Sequence, residues 1–273
     1  MSDIVLSAGV RSNLLQLQQT SDLITQTQNR LATGKKVNSA LDNAINFFTA
    51  QGLDTRANNL NSLLDSMSNG INTIQAANNG MTSITKLVQS AQALVSQAQQ
   101  ANNTTTQAAL STQFNSLLAQ IGQLAGDSGF NGVNLLAGNT LTVTMNETAT
   151  STVSVTGVNY TNANNSPLSI ANAANNWAGA SDITAASTAL SAALTSLQSE
   201  SQTLSSSLST VQIRQDFTKA MVNTLQSGSA NLTLADSNAE GANLLALQTR
   251  QQLSSTALSL AAQADQNVLR LFR

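Results

Sequence analysis

The sequence predicts a mainly α fold, a long antiparallel coiled-coil bundle with a small β-hairpin excursion and with its N- and C-terminal helices paired. Three observations carry this. Apolar residues recur alternately every four and three positions over long runs. Alternating β-type residues occur in one short stretch only, and the order of segments is nearly palindromic about it.

The longest run is Leu53, Ala57, Leu60, Leu64, Met67, Ile71, Ile74, Asn78, Met81, Thr85, Val88, Gln92 and Val95, of which ten of thirteen are apolar. Such a stripe is the seam of a helix that must press against other helices. Proline is absent up to Ser166, so one helix can run from about Asn46 to Gln100, on the order of 80 Å at 1.5 Å per residue. That length predicts a rod. Gly52, Gly70 and Gly80 lie within it, each costing about 1 kcal/mol relative to alanine, so packing rather than propensity must hold the helix.

Before it, Val10, Leu14, Leu17, Ser21, Ile24, Gln28 and Leu31 form a stripe, with Leu15 and Leu23 off it. Arg30 and Gly34 read as the end of that helix, a cation in the last turn and a glycine free to take positive φ. Ser39 and Asp42 have capping-box spacing at the start of the next helix. After a break at Asn102–Thr106, Leu110, Phe114, Leu117, Ile121 and Leu124 mark a third helix.

Residues 126–138 hold four glycines and lack the lysine-bearing ending of a phosphate loop, so they read as a turn. Leu141–Met145 and Thr152–Thr156 alternate and predict a hairpin. Asn159–Gly179, with Tyr160, Pro167 and Trp177, reads as a surface excursion. Ser181 or Asp182 is the expected N-cap of the next helix, whose stripe includes Leu190, Leu197, Leu204, Leu208, Val211, Val222 and Leu225. Residues 228–241 read as a polar interruption. In the last helix Leu244, Leu247, Leu258, Ala261, Val268 and Phe272 share one face and Leu245, Leu253, Leu260, Ala264 and Leu271 a neighbouring one. Two stripes imply more than one neighbour.

Charged residues are 9% of the chain, against about a quarter in ordinary soluble proteins. Weak surface charge gives little repulsion between copies. A net charge of −2 and the lack of a basic patch argue against nucleic acid. Histidine and cysteine are both absent, which removes the commonest general base and the commonest metal ligands. No cofactor is called for and an enzyme is not expected. No apolar run reaches membrane-spanning length, and the first sixteen residues lack the form of a Sec signal peptide.

Three motifs resemble bacterial flagellin: RLATGKKVNSALD at Arg30–Asp42, FNGVNLL at Phe130–Leu136 and QNVLRLFR at Gln266–Arg273. The resemblance implies a short flagellin without large outer variable domains, a structural subunit of the filament serving motility. Residues 1–32 and 242–273 would form the inner domain, with assembly packing by Leu14, Leu17, Ile24, Leu31, Leu258, Leu260, Val268, Leu269, Leu271 and Phe272. Residues 33–45 and 228–241 would be spoke connectors, the motif residues being Arg30, Gly34, Asn38, Ser39 and Asp42. Residues 46–227 would be the outer tube, including the hairpin 138–158 and the excursion 159–180. Its seam would be Leu53, Leu60, Leu64, Met67, Ile71, Ile74, Leu204 and Leu208.

The resemblance also implies partners: further copies of the chain, the flagellar export apparatus, a chaperone on the C-terminal helix, and hook-associated and cap proteins. Location would be the extracellular filament, reached without a cleaved signal peptide. The ends are expected to be disordered in the monomer and to fold on assembly. Ser90 and Gln113 stand where flagellins sensed by the animal Toll-like receptor carry Arg and Glu, which implies weak or no activation. A hook-associated junction protein and a monomeric helical adhesin are the competing readings.

Overall fold

The computed structural model describes residues 8–271 other than 166, and the side chains among them except those of 265 and 268–271. In chain order it comprises α1 (Ala8–Thr33), α2 (Ala44–Gln100), α3 (Thr104–Asp127), β1 (Thr140–Thr144), β2 (Thr152–Thr156), a 3-10 turn (Ala174–Trp177), α4 (Ala180–Thr233) and α5 (Ser237–Leu271). Two compact units divide it. One is Met1–Thr55 with Thr224–Arg273, the other Arg56–Asn223, so α2 and α4 contribute to both.

The second unit holds the main core. From α2, Met67, Ile74, Ala77, Met81, Ile84, Val88, Ala91, Val95 and Ala98 are buried. This face is wider than one seam because it meets α3, α4 and the segments after α3. Gln215 donates to Ser68 Oγ at 2.9 Å, while Met81 and Thr85 share a groove with Leu194 and Leu197. Pairing of rising with falling numbers makes α2 and α4 antiparallel. The link from α2 to α3 is only residues 101–103, shorter than the expected break. Asn103 Oδ1 caps α3 by accepting from Thr105 N at 2.7 Å, and Gln107 Nε2 donates to the carbonyls of Ala98 and Ala101 at the end of α2.

β1 and β2 pair antiparallel with Leu141 opposite Val155 and Val143 opposite Val153. These four side chains form the covered face, Val143 and Val155 being buried. Asn146 closes the loop between the strands, its Oδ1 accepting from Ser151 N at 2.9 Å. Glu147 in that loop pairs with Arg56 of α2 at 2.8 Å.

The stretch 159–180, expected as a surface excursion, instead sends apolar side chains into this core, while most of its other described residues are exposed. Tyr160, Ala163, Leu168, Ile170 and Trp177 are all buried. Trp177 lies on Phe114 of α3 with ring centroids 4.9 Å apart. The polar, asparagine-rich composition misleads because the few apolar residues point inward while the asparagines close turns. Asn159 Oδ1 accepts from Thr161 N, Asn162 Oδ1 from Asn164 N, and Asn115 of α3 accepts from Ala173 N at 2.8 Å.

Three helical glycines mark close approaches, and a Cβ on Gly70 would meet the Val143 side chain of β1. A Cβ on Gly80 would meet the Ser128 side chain and Leu136, and one on Gly122 would meet the Thr161 carbonyl. Gly52, by contrast, faces open space.

Helix ends differ from the expectations in three places. The Ser39–Asp42 capping box does form, but on a single turn: Asp42 Oδ2 accepts from Ser39 N at 2.9 Å and Ser39 Oγ accepts from Leu41 N. The cap of α2 is Asn43, whose Oδ1 accepts from Asn46 N at 3.0 Å. α4 starts at Ala180, so Asp182 lies in its first turn rather than at its cap. Most of 228–241 is helical, since α4 continues to Thr233 and α5 begins at Ser237. Ser229 is buried and Gly228 lies against Leu53, so this end of α4 still has a packed face. Asp236 then caps α5, its Oδ1 accepting from Asn238 N and Ala239 N.

Candidate assembly surface

In the first unit α1 packs on α5. The less exposed row of α1 is Val10, Leu17, Thr20, Ile24, Thr27 and Leu31, spaced by seven, three and four. On α5 it is Leu244, Leu247, Gln251, Ser254, Leu258 and Ala261, spaced by three and four. Arg30 Nη1 reaches Glu240 Oε1 at 3.2 Å, while Leu23 shares a groove with Arg250 and Leu253. The two helices are therefore antiparallel. Several inward positions are Thr, Gln or Ser, so this seam is less apolar than that of α2.

Leucines remain uncovered on both helices. Leu15 and Leu23 of α1 are 57% and 44% exposed, and Leu245, Leu253 and Leu260 of α5 are 67–68% exposed. Among the residues expected to pack in assembly, Leu14 and Leu260 are exposed, Leu17, Leu31 and Leu258 half-buried, and Ile24 buried. Val268, Leu269 and Leu271 lie in the final turn of α5; their side chains, with all of Phe272, fall outside the described residues.

The RLATG-containing loop is tied to the loop between α4 and α5. Gly34, at φ +67°, ends α1 in the left-handed conformation that glycine adopts without a Cβ penalty. Its carbonyl accepts from Ala235 N at 2.9 Å, and Lys36 N donates to the Thr233 carbonyl at 2.7 Å. Asn38 Nδ2 donates to the Lys35 carbonyl, and Asn38 N to Asp42 Oδ2 at 3.0 Å. The N–H groups of Ser39 and Asn38, the Ser39 hydroxyl and the Arg30 charge hold the Asp42 carboxyl below its ordinary range. Among the described residues, Arg30 Nε is one of three buried side-chain polar atoms left without a partner.

Of the expected outer seam, Leu60, Met67, Ile74 and Leu204 are buried and Leu53, Leu64, Ile71 and Leu208 half-buried. Leu53 falls in the first unit and the others in the second. Ser90 and Gln113 are exposed on α2 and α3.

Sequence reasoning did not single out Asn134, which organises the FNG motif. Asn131 and Gly132, at φ +47° and +80°, make a two-residue turn closed by both hydrogen bonds between Phe130 and Val133. Asn134 Nδ2 then donates to the carbonyls of Ala125 and Gly126 at the end of α3, and its Oδ1 accepts from Leu136 N. The visible signal was an asparagine following a turn just past a helix end.

No helix among the described residues is long and apolar enough to cross a membrane. The profile of the bacterial flagellin N-terminal helical region matches residues 8–140. Over its whole length the chain is 34% identical to flagellin FljK of Caulobacter vibrioides, covering 99% of that protein. It is 35% identical to flagellin FljN of the same organism, covering 99% of it, and 29% identical to a flagellin of Brucella melitensis, covering all of it. The matches span both helical termini and the hairpin between them, so the chain belongs to the bacterial flagellins, structural proteins of the extracellular flagellar filament.

Proposed function

We propose that this chain polymerises into the filament through the leucines that α1 and α5 leave uncovered. The single observation that supports it is the exposure of Leu245, Leu253 and Leu260 along α5 beside Leu15 and Leu23 of α1. Fully burying one leucine is worth about 1.5–3 kcal/mol, so neighbouring copies gain by covering them. In this reading 1–32 and 242–273 are the inner domain, 33–45 with 228–241 the spokes, and 46–227 the outer tube.

The same reading extends to delivery. The chain passes the flagellar export apparatus unfolded and uncleaved, with a chaperone on its C-terminal helix, and meets hook-associated and cap proteins at the filament ends. The terminal helices order fully only among sister copies, because their mutual seam is partly polar.

Leu253→Asp with Leu260→Asp tests the assembly claim. Both side chains are already exposed, so far-UV circular dichroism of the monomer should be unchanged. The parent chain should give sedimentable filaments visible by electron microscopy, and the double variant should give none. Normal filament yield from the double variant would refute the claim.

A further inference from the structure

The chain holds three Asn-Gly pairs, Asn69-Gly70, Asn79-Gly80 and Asn131-Gly132. In such a pair the glycine nitrogen has no side chain beside it to shield it. It can reach the carbonyl carbon of the asparagine side chain and close a succinimide ring.

The fold treats the three pairs differently. Asn69-Gly70 and Asn79-Gly80 lie inside α2, where backbone N–H groups are held in hydrogen bonds to the preceding turn. Gly70 and Gly80 are buried, and a Cβ on either would collide with Val143 or with Ser128 and Leu136. Asn131 and Gly132 are both exposed, and a Cβ on Gly132 would meet nothing. Among the described residues no group accepts from Gly132 N. Ring closure needs rotation about the Asn131 Cα–C bond. At this turn tip that disturbs only the two Phe130–Val133 hydrogen bonds, whereas within α2 it breaks a packed helix. Asn38-Ser39 also pairs asparagine with a small residue, but both reacting groups are occupied. Ser39 N donates to Asp42 Oδ2 at 2.9 Å and Asn38 Nδ2 to the Lys35 carbonyl at 3.2 Å.

We propose that Asn131 is a self-modification site, deamidating through a succinimide formed with the Gly132 nitrogen. Gly132 N gives its proton to water or hydroxide and bonds to Asn131 Cγ. The Cγ–Nδ2 bond breaks, and the nitrogen leaves as ammonia after taking a proton. Water then opens the ring. Attack at Cγ gives aspartate, and attack at the main-chain carbonyl gives isoaspartate, whose backbone runs through Cβ and Cγ. Folded chain and water suffice, so the reaction is independent of the filament reading.

The two products differ in consequence. Aspartate tolerates the left-handed conformation that Asn131 adopts at φ +47°. Isoaspartate adds a methylene to the main chain between Phe130 and Val133. That separates their paired hydrogen bonds and shifts Asn134, which ties this turn to the Ala125 and Gly126 carbonyls at the end of α3.

Hydroxylamine cleaves succinimides and so reports where they form. The folded chain should be cut between residues 131 and 132. Cuts at 69–70 and 79–80 should be slower by about tenfold or more, because α2 must first open locally. Chain unfolded in urea should be cut at all three pairs. Asn131→Asp should remove the folded-state cut, and a cut that persists overturns the assignment. Equal cutting at the three pairs in the folded chain overturns the proposal, as does an uncut folded chain beside a cut unfolded one. Parent chain aged at mildly alkaline pH should accept methyl groups from a protein isoaspartyl methyltransferase and unfold at a lower urea concentration than fresh chain. Fresh Asn131→Asp should match the fresh parent. Methyl-accepting aged chain with an unchanged midpoint overturns the structural consequence drawn for isoaspartate.

Discussion

At the scale of single residues, identical letters have opposite meanings. Gly52 and Gly80 both interrupt α2, and propensity assigns each the same cost. Open space surrounds Gly52, so Gly52→Ala should stabilise the chain by about 1 kcal/mol. Gly80 admits Ser128 and Leu136, so Gly80→Ala should destabilise it by about 1–3 kcal/mol through overpacking. Thermal or urea unfolding of the two variants should therefore move in opposite directions. Glu200 offers a second residue-scale test. Burial raises its carboxyl above the ordinary range, and its charge adds to the burial that raises the Tyr160 phenol. The folded state thus keeps the Glu200 proton to higher pH than the unfolded chain does. Its contribution is fully present below the ordinary glutamate value and is lost as pH rises through the raised one. Glu200→Gln should have a higher unfolding midpoint than the parent at pH 7, and the difference should vanish at pH 4.

At the scale of elements, the stretch after the hairpin shows what composition conceals. Asn175, Asn176 and Trp177 all have positive φ, a conformation that costs roughly 1–2 kcal/mol per residue outside glycine, less for asparagine. Trp177 is wholly buried against Phe114, and that burial holds the turn in place. Trp177→Ala should lower stability by about 3–5 kcal/mol, measured by chemical denaturation. A loss below about 1 kcal/mol would show that this turn is a surface feature after all. The helices were legible for a different reason. Their stripes at Met67–Val95 and Leu190–Leu225 repeat over many turns, so a single polar member such as Asn78 or Gln215 does not obscure the period. The loop between α4 and α5 was not legible to that precision, because Gly228 and Ser229 read as breakers until Leu53 is seen beside them.

At the scale of the whole molecule, sparse charge and uncovered leucines describe a surface made to be shared. The proposed flagellin role gives this sparseness a test at host receptors. Ser90 and Gln113 are exposed and uncharged, so this chain supplies no charge for ion pairs at these positions. A reporter cell line carrying the flagellin-sensing Toll-like receptor should respond far less to this chain than to a flagellin bearing Arg and Glu there. Restoring the pair with Ser90→Arg and Gln113→Glu should increase the response, and an unchanged weak response would assign the loss to other residues.

The sequence by itself determined the number and order of the long helices, the hairpin and the family. Helical and strand periodicities are local properties, written in the spacing of apolar residues, and the three flagellin motifs are contiguous strings. Only the tertiary structure decided which glycines are notches and which are gaps, that Tyr160, Leu168, Ile170 and Trp177 enter the core, and that Asn43 and Asp236 are the helix caps. The first two depend on what another segment brings within a few ångströms, which no spacing along one segment encodes, whereas the caps are local contacts for which neighbouring Asn, Ser and Asp residues compete.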